Sequence, residues 1–127
     1  MSAADERREK RRRWRLEATA TRALLAERFP RCFAPKGEPK RPLKLGIHND
    51  LRAAVPDISR RLIRIALDDY TTGNSYLRAM AAGAARLDLD GWPAGEVSIT
   101  HAKLARQQLE RRETPNKRAP DAQDRAA

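Results

Sequence analysis

The stretch ARLDLDGWPAGEVS, residues 85–98, is where the hydrophobic period of the chain changes. Leu87 and Leu89 alternate with Arg86, Asp88 and Asp90, which is the two-residue period of a strand with one wet face. Asp90-Gly91 is a turn dipeptide, and the chain returns through Glu96 and Val97. A β-hairpin is therefore expected here. On both sides of it the spacing is helical. Ser98 is placed to cap a last helix, with Ile99, Ala102, Ala105 and Leu109 inward.

Working back from the hairpin, a short helix from about Gly73 to Ala81 should bury Leu77 and Met80. Ser59 is a good N-cap for a helix running to about Tyr70, whose apolar face is Leu62, Ile63, Ala66, Leu67 and Tyr70. Ile47, Leu51, Ala54 and Val55 mark one face of a helix that Pro56 stops. Between residues 32 and 42, CFAPKGEPKRP reads as a loop, broken by Pro35, Gly37, Pro39 and Pro42. Leu16, Ala20, Leu24, Leu25 and Phe29 recur at helical spacing before Pro30. The expected class is mostly α with a small β-hairpin (α+β), a compact domain of about five helices.

The ends differ from this middle. MSAADERREKRRRWR, residues 1–15, is charged and nearly free of aliphatics. It reads as a basic arm, either frayed helix or disordered, with a solvated tail preferred. Residues 114–127 carry two prolines and no core residue, and are expected to be a disordered tail. The domain proper is then 16–113.

The 127 residues carry 27 Lys or Arg against 17 Asp or Glu, a formal charge of +10. Such a surface attracts polyanions, and nucleic acid is the commonest of them. An anionic membrane competes poorly, because no basic amphipathic stretch has an aromatic and aliphatic face. Cys32 is the single cysteine, so no intramolecular disulfide and no cysteine zinc cluster is expected. No signal-peptide run or membrane-spanning run is present, and a cytoplasmic protein is expected. Cys32, His48 and His101 are scattered, without a catalytic motif or metal-ligand spacing. An enzyme is the least favoured class, and no cofactor, metal or small-molecule substrate is expected.

Two features bear on binding. Arg60 and Arg64 are four apart and project together from the face opposite Leu62 and Leu67. On charge alone, a solvated face with Arg64 paired to Asp68 is the preferred reading. The second feature is YTTGNSYL, residues 70–77, where Thr71, Thr72, Gly73, Asn74 and Ser75 meet the start of a helix. A helix start leaves backbone N–H groups without partners and favours anions. The side chains add donors, and Gly73 lets a ligand approach the backbone. Ordinary capping by Thr72 or Asn74 explains the same residues, and on the residues alone the two readings stand level.

Several stretches carry a resemblance. ERFPRCF (27–33), RPLKLGIHNDL (41–51), YTTGNSYL (70–77), GAARLDLDGWPAGEVS (83–98) and HAKLARQQLE (101–110) resemble, in order and spacing, the ProQ/FinO domain of bacterial RNA chaperones. The resemblance implies a mostly helical domain with a concave basic face. It implies binding of structured RNA, especially terminator hairpins with a 3′ single-stranded tail, in small RNAs and mRNA 3′ ends. Post-transcriptional regulation would follow from that.

Position by position, the resemblance assigns RNA contacts to Lys44, Arg60, Arg64, Tyr76 and Arg86. It also makes Thr71–Ser75 a pocket for the RNA 3′ end. Tyr76 is read as stacking on a nucleotide or donating its hydroxyl, with a half-buried core tyrosine as the alternative. Some members have a tryptophan and a basic residue where this chain has Asn74 and Ser75. A single-domain monomer is expected. The competing functions are a helix-turn-helix DNA binder and a ribosome-associated basic adaptor that works through its tails.

Overall fold

The computed structural model describes residues 2–113. The tail expected at 114–127 lies outside the described residues. The order is α1 (Ala3–Arg28), α2 (Ile47–Ala54), α3 (Arg60–Thr71), α4 (Asn74–Ala79), β1 (Ala85–Leu87), β2 (Pro93–Glu96) and α5 (Ile99–Glu113). Five helices and one antiparallel hairpin make up the fold among the described residues.

Helix α3 is the centre. Ser59 caps it, its hydroxyl accepting from Leu62 N at 3.1 Å. One face, Ile63, Ala66 and Tyr70, is buried in the main core with Leu25, Phe33, Leu43, Leu51 and Tyr76. A second face follows the row 61, 65, 69. Arg61 binds Glu17 of α1 in a two-pronged pair, and Asp69 accepts from Arg22 of α1 at 2.8 Å. Ile65, between them on that row, is 5% exposed. It is absent from the apolar face expected for this helix, because a helix covered on two sides shows more than one stripe. What α3 leaves in water is Arg60, Arg64 and Asp68 on one row, with Arg61 at the rim of the second face, exposed but paired to Glu17.

Helix α1 is one continuous helix of 26 residues, capped by Ser2 with Asp5 and Glu6 in its first turn. Residues 2–13 are all exposed, so the basic arm is the free end of this helix. The buried stripe is Ala18, Thr21 and Leu25. Leu16 and Leu24, expected inward, are 59% and 41% exposed. The chain carries two apolar stripes on α1, and spacing alone merges them. Small side chains at 18 and 21 let α1 come close to α3, and that stripe is the one that packs.

The hairpin is tied to the core by a third segment. Leu87 N donates to Pro42 O at 2.9 Å, and Lys44 N donates to Leu87 O at 2.8 Å. The segment 42–44 thus runs alongside β1 in parallel. At the turn, Asp88 Oδ1 accepts from the backbone N–H of Asp90 and of Trp92. Gly91 has φ +84°, and a Cβ there would lie 2.5 Å from Arg31 Cβ, so no other residue fits without moving the turn. Helix α5 is capped by Ser98, which accepts from His101 N at 3.0 Å. It packs on α4 through Ala105. Ile99, expected inward, is 79% exposed; the first turn of α5 turns His101 towards Arg86 instead. No helix among the described residues is long and apolar enough to cross a membrane.

Candidate nucleic-acid interface

The residues expected to touch a ligand fall into three sets. Arg60 and Arg64 are exposed. No ion pair joins Arg64 to Asp68 among the described residues, so the guanidinium is not committed to its own helix. Lys44 is half-buried, with its ammonium 2.8 Å from Asp50 Oδ2. That hydrogen bond holds the lysine pKa above its ordinary value. A phosphate at Lys44 would have to share it with this carboxylate.

The turn at 71–75 is built differently from expectation. Thr71 ends α3 and Thr72 is its C-cap. Their hydroxyls donate to Leu67 O at 2.8 Å and Asp68 O at 2.7 Å, which commits both donors to the helix they close. Asn74 Oδ1 accepts from Arg112 of α5 at 2.7 Å. Neither Thr72 nor Asn74 caps α4. Gly73 does so with its backbone, at φ −71° and ψ 153°. Any residue adopts that conformation, so the backbone itself does not require glycine here. A Cβ at 73 would stand 3.2 Å from Lys40 Nζ.

Tyr76 and Arg86 are interior, at 5% and 4% exposure, and this corrects the surface contacts expected of them. The cause lies at Leu43. Its neighbours Pro42 and Lys44 spend their backbone groups on Leu87, which turns Leu43's own N–H and carbonyl the other way, into the core. Buried backbone groups need partners. Leu43 N donates to Tyr76 Oη at 3.0 Å, and Leu43 O accepts from Arg86 Nη1 at 2.8 Å. Arg86 Nη2 lies 3.0 Å from His101 Nδ1, while Arg86 Nε is buried with no partner. Burial raises the Tyr76 pKa. A ring in this position does not stack on a nucleotide, and its hydroxyl oxygen is buried against the Leu43 N–H.

Other basic residues, unmarked by the sequence reading, gather nearby. Arg22, Lys36, Lys40, Ser75 and Arg78 line one open cleft between α1, the loop before Lys40 and α4, together with Glu38. Lys40 Nζ lies 4.8 Å from the centre of the Tyr70 ring, and Arg22 Cζ lies 5.2 Å from it. The Tyr70 hydroxyl accepts from Ala34 N at 2.9 Å, which fixes the ring. Lys36 and Lys40 sit in a loop read only for its breakers, and nothing local says that it folds back over Tyr70. Burial pushes the Cys32 thiol up to about 12, which removes it as a nucleophile. Among the described residues no group of three or more His, Cys, Asp or Glu side chains is placed to hold a metal ion.

Comparison with known proteins agrees with this architecture. The family model described as "ProQ/FINO family" matches residues 17–122. A ProQ homolog from Legionella pneumophila, solved by NMR, is 31% identical, with a TM-score of 0.66 over 76% of this chain and 83% of its own. A FinO-like RNA chaperone from Neisseria meningitidis MC58 is 29% identical, with a TM-score of 0.58 over 72% of this chain and 92% of its own.

Proposed function

From the premise that this chain belongs to the ProQ/FINO family, we propose that it is an RNA-binding chaperone. Its targets are structured RNAs in which a duplex adjoins a free 3′ tail, as in the terminator hairpins of small RNAs and mRNA 3′ ends. The observation that carries this reading is the exposed row of α3. The helix packs on two sides, and its exposed strip presents Arg60 and Arg64, neither held by an ion pair among the described residues, beside Arg61, which Glu17 holds. A-form stems are recognised through shape, phosphates and 2′-hydroxyls, and two guanidiniums one turn apart suit phosphates along a strand.

Lys44 adds a third cation, shared with Asp50. Ser75 and the backbone at the start of α4 serve the 3′ end, while Thr71, Thr72 and Asn74 shape that corner through their bonds to α3 and α5. Tyr76 and Arg86 stabilise the fold at the segment 42–44 and make no RNA contact of their own. Recognition of a structural feature common to many transcripts implies a broad target set and a role in post-transcriptional regulation.

The test is direct binding to three versions of one terminator hairpin: with a free 3′ tail, without the tail, and with a 3′-phosphate. The tailed RNA should bind tightest. Equal affinity for all three removes the 3′ end from the mechanism, and equal affinity for duplex DNA of the same sequence favours a DNA binder.

A further inference from the structure

Lys40 occupies a costly position. It is partly buried, and no carboxylate pairs with it among the described residues. Its neighbour Arg22 is another cation, whose own partner is Asp69. Burial pulls the Lys40 pKa down and Arg22 pulls it further the same way, while Asp69, already paired to Arg22, offsets only part of this. What holds the ammonium is weak by comparison: the face of Tyr70 and a long contact of 3.5 Å to Tyr70 O. Lys36 and Arg78 line the same cleft and have no ion pair among the described residues, and Glu38 is its only acidic lining residue. The residue at 73 is the one that leaves room for the ammonium, in a conformation that does not itself require glycine. A fold gains little from gathering unpaired cations, whereas an incoming anion gains a desolvated, preplaced charge.

We propose that Lys40 is a phosphate-binding residue, and that the cleft it shares with Lys36, Ser75 and Arg78 holds a backbone phosphate of the bound RNA strand. The inference rests on the RNA-binding reading above. The Tyr70 ring positions the ammonium, and Gly73 keeps its place open. Lys36 and Arg78 supply flanking charge. A phosphate is the chemistry recognised, and a nucleic-acid strand and free inorganic phosphate are its two sources.

The experiment uses the full chain, the tailed hairpin RNA and inorganic phosphate. Lysine 13Cε resonances are followed by NMR, with the Lys40 signal assigned by its loss in Lys40→Gln. Affinity, its salt dependence and Tm are measured for wild type, Lys40→Gln, Lys40→Arg and Arg64→Ala. The expected result is that RNA shifts the Lys40 signal and that millimolar phosphate barely does. Lys40→Gln should weaken RNA binding about tenfold and flatten the log–log salt slope by about one contact, with Tm unchanged or raised. Lys40→Arg should keep the slope.

Wild-type affinity and slope in Lys40→Gln, beside a weakened Arg64→Ala, overturn the inference and leave the RNA-binding reading intact. A lower Tm with an unchanged slope makes Lys40 a structural brace on Tyr70. Inorganic phosphate that reproduces the full shift makes this a small-anion site and overturns the strand assignment. Failure of the wild-type protein to bind the RNA overturns both readings, and it shows before any variant is made.

Discussion

Leu43 presents both of its backbone polar groups to the interior, and side chains 33 and 43 residues further along the chain answer them. The Tyr76 hydroxyl accepts the N–H, so Tyr76→Phe strands a buried donor while leaving packing almost untouched. The expected cost is about 1–3 kcal/mol of stability, measured by urea unfolding. RNA affinity at a temperature where both proteins are folded should change little. A variant as stable as wild type but poor in RNA binding would return Tyr76 to the surface role that the resemblance implies. Neither partnership was legible in the sequence. A tyrosine beside Leu77 fits a core stripe or an exposed contact equally well, and its hydroxyl's target is set by how the segment 42–44 pairs with β1. Lys40 was hidden for the same reason. By contrast, Arg60 and Arg64 were readable, because their exposure depends only on their place around one helix.

Among the elements, helix caps were the most legible signals. Ser59 and Ser98 both accept the backbone N–H expected of them, since capping is decided within four residues. The hairpin turn at Asp90-Gly91 was legible too. The buried side of α1 was not, because its packing stripe is small and polar at Ala18 and Thr21 while its leucines flank it.

What aligns α1 with α3 is partly ionic: Glu17 with Arg61, and Arg28 with Asp57 just before α3. In each carboxylate the arginine hydrogen bond is the leading cause of a lowered pKa. A carboxyl whose pKa is depressed by folding stabilises the fold above its unfolded pKa of about 4, and that contribution is lost as pH falls through the folded value. Tm should therefore fall on acidification below about pH 5. The double variant Glu17→Gln with Asp57→Asn should show a flatter acid limb in thermal melts. Parallel limbs in the two proteins would mean that these exposed pairs contribute nothing, as many surface pairs do.

For the whole molecule, the question is whether the folded face or the arm of α1 binds RNA. Residues 2–13 of that arm are exposed, and the stretch to residue 15 is dense in arginine. Each phosphate neutralised by a cation releases condensed counterions, so log affinity falls linearly with log salt, by about 0.7–0.9 per contact. On the folded body Arg60, Arg64 and Lys44 are available, with Lys40 as a fourth. Arg86 is buried and drops out of the count. Lys44 must be shared with Asp50 and delivers less than a full contact. A fragment of residues 15–113 should then bind tailed hairpin RNA with a slope of roughly −2 to −4. The full chain should be steeper by whatever the arm adds.

The fragment keeps the stripe Ala18, Thr21 and Leu25 and all three ionic ties of α1, so it should unfold cooperatively near the full-length Tm. That melt is the control without which its slope means nothing. Arg64→Ala in the fragment should flatten the slope by about one contact. Tyr76→Phe should leave it unchanged, since no counterion leaves with a buried hydroxyl. A folded fragment with a slope near zero, beside a steep full chain, would put binding in the arm. The α3 face would then be solvated surface, and the basic-adaptor reading would take its place.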